Sequence, residues 1–340
     1  MANIISDKYG VYSYIGVSDE LYQHNSLILD SNVAISLEKF FYSPIKLNRK
    51  LEATRDLLLD NMEIDIITGA AIQESCWDPM ISNINNGQLS KLEIAMNGVL
   101  NWGEKEIIKH SHSNGIEFKG KAYREKPKNI LTLVPQIKKW NPLMLGSYAC
   151  VLKIMTIQKQ KLSRVESVKL FVEFLIYELK AIHALEMELA VNYFLGNDDL
   201  YTIGNGIFKF DKQNEEVLLK AWNAAWDLFF LRLLQRAYSD YSFLNIIKPK
   251  LVTEDKNLIG MAKLCSLESS IIKNNHFIPI LLFDETLIKK DFRDVVENIN
   301  LKIKNSFLER SNARKNIKDK DSYLIEKVKF LEAELLNYCI

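Results

Sequence analysis

The sequence predicts an α/β fold in which a PIN-like parallel sheet, flanked by helices, is interrupted by a large and mostly helical insertion. Short apolar runs that end in, or lead to, an acidic residue occur near both ends of the chain. Each of these runs is followed by a segment with apolar residues at helical spacing. The long middle part carries helical periodicity and few strand signals, so strands and helices alternate only in the outer parts.

Composition bounds the class of protein. The chain has 340 residues, of which 48% are hydrophobic and 26% charged, and these values are typical of a globular protein with a sizeable core. The net charge of +1 argues against a protein that coats nucleic acid nonspecifically. It does not exclude a nuclease, because contacts with phosphates need only a local basic patch. The four cysteines lack metal-finger spacing, and no apolar signal segment or spanning run occurs. We therefore expect a cytoplasmic protein with no membrane contact.

Four apolar runs are predicted to be strands. The first, third and fourth of them end in an aspartate, and Pro279 in the last favours an edge position. The runs are SLILD (26–30), EIDIITG (63–69), KLVTED (250–255) and FIPILLFD (277–284).

Helices are predicted after the strands and through the middle of the chain. The first begins after SLILD, where Ser31 or Asn32 can cap it. The clearest helix spans 164–195, because a Ser163–Glu166 capping box opens it and Gly196 supplies a stop. The remaining predictions are helices at 49–60, 215–237 and 256–265, a turn with a small hairpin at 196–214, and a final amphipathic helix capped by Asp321.

Three of the predicted strands deliver acids to one place. Asp30 and Asp255 end their strands, and Glu74 lies one or two turns into the helix after EIDIITG. Ligands of open parallel sheets bind at the carboxyl ends of strands, so we expect these side chains to converge. Asp227 joins from the helix 215–237, at the border of its apolar stripe.

Clustered carboxylates have an energetic consequence. Two of them about 4 Å apart repel by roughly 4 kcal/mol at an effective dielectric constant near 20. The cluster must therefore hold a proton or a cation. Oxygen ligands suit Mg²⁺ or Mn²⁺, and such an ion can activate water for attack on a phosphodiester.

The order of these segments resembles the PIN domain family of nucleases. The matching segments are D-S-N-V-A-I (30–35), the helix-borne Glu74, W-D-L-F-F (226–230) and L-V-T-E-D-K-N-L (251–258). The resemblance implies a parallel sheet between helices and a metal-dependent endoribonuclease site that holds Mg²⁺ or Mn²⁺. RNA is favoured over DNA as the substrate.

The resemblance also implies a role for individual residues. The catalytic, metal-binding acids are Asp30, Glu74, Asp227 and Asp255. Thr253, two residues before the last acid, orients a ligand or a water. Ser31 and Asn32 contact substrate or support the metal ligands.

The predicted domains are a discontinuous nuclease domain at 1–76 and 215–288, a helical insertion at 77–214, and a charged linker with a C-terminal amphipathic helix at 289–340. A typical family member has a much shorter link than 77–214. We expect the insertion to supply substrate choice, self-association or the surface for an inhibitory protein partner.

Plainer explanations stand beside these predictions. Asp30 and Asp255 can be ordinary helix caps or turn formers, Glu74 can be a solvated helix residue, and Asp227 can pair with a lysine. The sheet can also be an inactive scaffold that carries a protein-interaction module, or the chain can be a toxin or defence effector restrained by a partner.

Other polar residues are assigned by default to the surface. Glu186 and Glu188 are predicted on a solvated helix face, and His110 and His112 in a polar loop. Three basic stretches are candidate phosphate contacts, with a solvated surface favoured for each alone. They are 119–128, 159–164 and 302–318.

Overall fold

The computed structural model describes residues 2–16, 25–78, 83–116, 130–208, 215–240, 246, 248–265, 267, 270–273, 276–279, 281 and 283–338. It is mostly helical (70%), with a small mixed five-stranded sheet flanked by helices, which agrees with the predicted α/β class. The described residues group into two compact units, one within 2–138 and 233–259 and the other within 139–232 and 260–340. The described residues between 77 and 138 group with the sheet unit, and the predicted domain boundaries stay a prediction.

The sheet unit has the strand order β1-β2-β7-β3-β4. These strands are β1 (Asn3–Ser6), β2 (Ser13–Gly16), β3 (Ser26–Leu29), β4 (Asp65–Ile67) and β7 (Pro249–Thr253). Two separate antiparallel pairs are β5 (Trp77–Asp78) with β6 (Asn83–Ile84), and β8 (Ser270–Lys273) with β9 (His276–Pro279).

Only the centre of the main sheet is parallel. Strand β3 pairs in parallel with β4 and β7, whereas β2 pairs antiparallel with β1 and β7. The expectation of a parallel sheet is thus corrected to a mixed one. Strands β1 and β2 have four residues each, which is too few for an alternating apolar pattern to indicate a strand in the sequence.

Fourteen α-helices lie in the described ranges. In chain order they are α1 (Ser31–Tyr42), α2 (Leu51–Asp60), α3 (Gly69–Cys76), α4 (Asn86–Val99), α5 (Glu104–Ser111), α6 (Ile130–Lys159), α7 (Arg164–Glu173), α8 (Ala184–Leu195), α9 (Asp198–Ile207), α10 (Glu215–Ser239), α11 (Lys256–Leu264), α12 (Arg293–Asn305), α13 (Phe307–Lys315) and α14 (Lys320–Asn337). No helix in these ranges is long and apolar enough to cross a membrane.

The core of the sheet unit fixes the end of β3. Leu27, Ile28 and Leu29 are fully buried, as are Leu251 and Val252 of β7. Helix α1 packs against β7, α3 and α4. A strand buried on both faces is a rigid base, so the residue that follows it is held in a defined place.

The predicted helix 164–195 is wrong as one element. Helix α7 passes into a π-helical turn at Phe174–Glu178, the backbone takes a positive φ of 55° at Lys180, and α8 begins only at Ala184. The Ser163–Glu166 capping box and the stop at Gly196 are confirmed. The sequence does not indicate this break, because its apolar residues keep their helical spacing through it.

The predicted turn and hairpin at 196–214 contains a helix, α9, in its described part. Asn197 caps this helix by accepting a hydrogen bond from the N–H of Leu200 at 3.0 Å. Gly204 serves close packing, because a Cβ there would lie 2.1 Å from the Tyr193 ring. Glycine often marks a turn in a sequence, whereas Gly204 leaves room for an aromatic ring against the helix.

The charged linker expected from 289 onwards is also helical. Val296 and Ile299 on α12 are buried at i, i+3 spacing, which anchors that helix. Asp319, rather than the predicted Asp321, caps α14 by accepting hydrogen bonds from the N–H groups of Asp321 and Ser322.

Candidate acidic site at the carboxyl edge of the sheet

The three parallel strands place three of the predicted acids at one edge. Asp30 follows β3 directly, Asp255 comes two residues after β7, and Glu74 lies on α3, which follows β4. Because β3 pairs in parallel with both neighbours, their carboxyl ends share this edge.

Asp30 is held from both sides. Its side chain is 2% exposed, its Oδ1 accepts a hydrogen bond from the N–H of Ser31 at 2.6 Å, and its Oδ2 accepts one from the hydroxyl of Thr253 at 2.7 Å. The Asn32 amide lies 3.4 Å from Oδ2. Asp30 is therefore itself the N-cap of α1, and the prediction of Ser31 or Asn32 as the cap is wrong.

Thr253 links the two aspartates. Its buried Oγ1 accepts a hydrogen bond from the N–H of Asp255 at 2.8 Å while its hydroxyl donates to Asp30. The half-buried Asp255 in turn accepts a hydrogen bond from the N–H of Asn257 at 2.6 Å, at the start of α11. Both aspartates thus act as helix caps, and the threonine fixes their spacing.

Burial and neighbouring charge raise the pKa values of Asp30 and Glu74. Burial raises the pKa of Asp30 to about 6, and the charge of Asp255 adds to the rise against hydrogen bonds from Thr253 and Ser31. Burial also raises the pKa of Glu74 well above its usual value, and the charges of Asp30 and Asp255 raise it further. The charge of Asp255 therefore acts on both Asp30 and Glu74.

Glu74 has an oxygen without a partner. The side chain as a whole is half-buried and interacts with the Ser31 hydroxyl, but its Oε2 is enclosed and has no hydrogen bond within the described structure. An unpartnered buried carboxylate oxygen is costly unless a proton or a cation compensates it.

The donor set fits a hard divalent cation. Carboxylate and hydroxyl oxygens are the ligands that Mg²⁺ and Mn²⁺ prefer, and Glu74 Oε2 offers an uncommitted donor. Across the described ranges, no three His, Cys, Asp or Glu side chains are gathered as a metal-holding group. The carboxylates of Asp30 and Asp255 are engaged by backbone and hydroxyl donors instead.

The fourth predicted acid belongs to the other unit. Asp227 is 8% exposed on α10, in the part of that helix that groups with 139–232. Its membership in the acidic site stays a prediction.

A basic neighbour of the site was missed by the sequence analysis. Lys50 forms an ion pair with Glu254, the residue between Thr253 and Asp255, and the Ser36 hydroxyl lies 3.4 Å from the same carboxylate. In the sequence Glu254 is only a charged residue beside a more conspicuous acid. Its partner is more than two hundred positions away, so no local pattern signals the pair.

The prediction of a solvated face for Glu186 and Glu188 is wrong. Both are buried, and Glu186 is fully enclosed, where the Arg232 guanidinium pairs with it and the Ser147 hydroxyl donates to it at 2.5 Å. Every residue of α8 is buried. The sequence of α8 carries apolar residues around most of the helix, a pattern that indicates a buried helix.

His110, which the sequence placed in a polar loop, has a structural role. His110 lies on α5, and its Nε2 contacts the carbonyl oxygens of Phe40 and Phe41 at 2.9 and 3.0 Å. It thereby satisfies carbonyl groups at the end of α1.

The three predicted basic stretches differ in their structural settings. Residues 119–128 lie outside the described residues. In 159–164, Arg164 donates to the Gly196 carbonyl at 3.0 Å and lies over the Tyr201 ring. In 302–318, Lys302 pairs with Glu173 at 2.7 Å, whereas Lys304 faces solvent.

Comparison with known proteins finds no matching family model, no matching curated protein and no matching solved structure. The resemblance to PIN domains therefore rests on the residues quoted above.

Proposed function

We propose that this chain is a PIN-like, metal-dependent nuclease that hydrolyses phosphodiester bonds, with RNA favoured over DNA. The observation that supports this most is the acidic edge, where burial and the charge of Asp255 raise the pKa values of Asp30 and Glu74, and where one enclosed oxygen of Glu74 lacks a partner among the described residues. Such an arrangement is costly for folding alone and is typical of a functional site.

The proposed roles combine the resemblance with the contacts of the acidic edge. Asp30, Glu74 and Asp255 would hold Mg²⁺ or Mn²⁺, and Asp227 is the proposed fourth ligand. The bound metal supplies an activated water and neutralises charge on the phosphodiester. Thr253 keeps the Asp30 carboxylate oriented through its 2.7 Å hydrogen bond. In the absence of a cation, a proton shared by the buried acids balances their charge.

The test is cleavage of labelled RNA and single-stranded DNA of equal length with Mn²⁺. We expect the wild type to cleave RNA and Asp30→Asn to lose at least about 100-fold, since loss of even an outer partner of a metal site costs about 10- to 100-fold. Asp60→Asn is the matched control, because Asp60 is an exposed aspartate at the end of α2 in the same unit. Equal cleavage by the wild type and Asp30→Asn contradicts the proposal.

A further inference from the structure

Asp255 lies just beyond the end of β7, in a short link that the sheet does not hold. The pairing of β7 with its neighbours ends at Thr253, so residues 254 and 255 have no partner in the described sheet. One contact that fixes Asp255 is the hydrogen bond from its N–H to the Thr253 hydroxyl oxygen at 2.8 Å. The charge of Asp255 acts on the other acids of the site, so repulsion drives its carboxylate outward unless the link is held in place.

Glu254, the first residue of this link, is fastened to two other elements. Its carboxylate pairs with the Lys50 ammonium group and lies 3.4 Å from the hydroxyl of the buried Ser36 on α1. Lys50 is the last residue of the 3₁₀ turns Pro44–Lys50, which connect α1 to α2. The link is therefore tied to α1 and to the start of α2.

The backbone of Lys50 is itself fixed. Its carbonyl oxygen accepts a hydrogen bond from the Thr54 hydroxyl at 2.8 Å, and the Tyr12 hydroxyl lies 2.7 Å from the same threonine oxygen. Both Thr54 and Tyr12 are fully buried. A buried hydrogen-bond network whose members have partners is rigid, so Lys50 holds Glu254 from a fixed base.

Another ion pair of the same unit offers a comparison. Lys91 pairs with Glu38 at side-chain exposures of 30% and 7%, against 34% and 17% for Lys50 and Glu254. Glu38 lies on α1 about 12 Å along the helix axis from Asp30. As contacts that stabilise the fold the two pairs are alike, and only the pair of Lys50 and Glu254 directly adjoins an acid of the site.

We propose that Glu254, held by Lys50, is a positioning residue that keeps the Asp255 carboxylate beside a cation bound by the acidic site. This inference rests on the proposed function and adds the contact that fixes one of its metal ligands. Because Glu254 directly precedes Asp255, a fixed Glu254 side chain restricts movement of the whole link. Loss of either partner of the pair frees the link, and repulsion among the acids then moves Asp255 away.

Calorimetric titration with Mn²⁺ distinguishes positioning from a direct effect of charge. Lys50→Met removes a positive charge, which by Coulomb attraction alone would tighten Mn²⁺ binding, whereas Glu254→Gln removes a negative charge and would weaken it. Positioning predicts that both variants bind Mn²⁺ about tenfold more weakly, since loss of an outer partner of a metal ligand costs about 10- to 100-fold. Lys50→Met/Glu254→Gln should bind no more weakly than either single variant, because each alone already frees the link.

Two further variants serve as matched controls, with urea unfolding to show that each protein is folded. Lys91→Met breaks the comparison pair and should bind Mn²⁺ within about twofold of the wild type, even where its urea midpoint falls as far as that of Lys50→Met. Lys50→Arg keeps a cation for Glu254 and should restore most of the Mn²⁺ affinity. A Lys50→Met variant that binds Mn²⁺ as tightly as the wild type, or a Lys91→Met variant that loses as much, would overturn the proposal.

RNA cleavage separates this inference from the proposed function. We expect Lys50→Met to need about tenfold more Mn²⁺ for half-maximal cleavage and to keep the KM for RNA at saturating Mn²⁺, because the pair does not bind substrate. If no protein cleaves RNA while Lys50→Met still binds Mn²⁺ more weakly than Lys91→Met, the nuclease proposal fails and the positioning role stands. If the wild type cleaves RNA and Lys50→Met has the same Mn²⁺ requirement, the nuclease proposal stands and the positioning role fails.

Discussion

At the scale of the residue, Asp30 combines two demands that conflict. It caps α1 and is buried at the end of a buried strand, and this burial raises its pKa to about 6. Folding therefore costs free energy whenever the carboxylate is charged. A residue that only capped a helix would be better placed nearer to water.

This conflict predicts a pH-dependent stability. Between the unfolded pKa of about 3.8 and the folded value of about 6, the folded chain binds more protons than the unfolded chain, so stability falls as pH rises. Asp30→Asn removes this dependence. We expect its advantage in the free energy of unfolding over the wild type to grow by about 2 kcal/mol between about pH 4.5 and about pH 7.

Urea unfolding of both proteins in EDTA measures this advantage. Asp60→Asn, which alters an exposed aspartate, should show no comparable change between the two pH values. A constant or shrinking advantage of Asp30→Asn would show that the Asp30 carboxylate is not destabilised by burial.

The buried pair of Glu186 and Arg232 gives a second prediction at this scale. Arg232→Met leaves the enclosed Glu186 without its guanidinium partner, with the Ser147 hydroxyl and a His183 ring nitrogen 4.0 Å away as its neighbours, so we expect a loss of about 3 kcal/mol in chemical denaturation. Adding Glu186→Gln to Arg232→Met should recover part of that loss, because no buried charge then remains unpaired. A double variant less stable than Arg232→Met would contradict this explanation.

The sequence indicated some of these residues and not others. Asp30, Glu74 and Asp255 could be predicted as site residues because short apolar runs in the sequence indicate where strands end. The sequence could not identify the residue that caps α1, because Asp30, Ser31 and Asn32 are three successive residues that can all serve as caps. The Lys50–Glu254 pair depends on folding over a long sequence separation.

At the scale of the element, Asn48 shows strain that a substitution can relieve. Asn48→Gly should raise the free energy of unfolding by up to about 1 kcal/mol, because glycine adopts φ 49° and ψ −120° without steric cost. Asn300→Gly, within the exposed face of α12, should instead lower it by about 0.5 kcal/mol. Thermal and urea unfolding check both signs, and a destabilising Asn48→Gly would mean that the asparagine side chain is needed there.

Helix existence was predicted better than helix continuity. The spacing of apolar residues found α1, α2, α10 and α11 close to their observed bounds. It also joined α7 to α8, because the π-helical turn and Lys180 break the backbone without disturbing the apolar pattern. Periodicity reports which face is buried and says little about a local change of backbone conformation.

At the scale of the whole molecule, the coarse α/β class and the parallel centre of the sheet followed from the sequence. The sequence did not predict the antiparallel hairpin of β1 and β2, nor the division of the described residues into two units. Those features depend on long-range pairing, such as that of Ser13 with Thr253, which no local pattern encodes.

The most direct measurement is a calorimetric titration of the wild type and Asp30→Asn with Mn²⁺ near pH 6, in two buffers of different ionisation enthalpy. We predict that the wild type binds Mn²⁺ and releases protons, because the cation displaces a proton from the buried acids, and that Asp30→Asn binds far more weakly. A folded wild type that takes up no Mn²⁺, or an Asp30→Asn variant that binds it equally well, would contradict the claim that these carboxylates form a cation site.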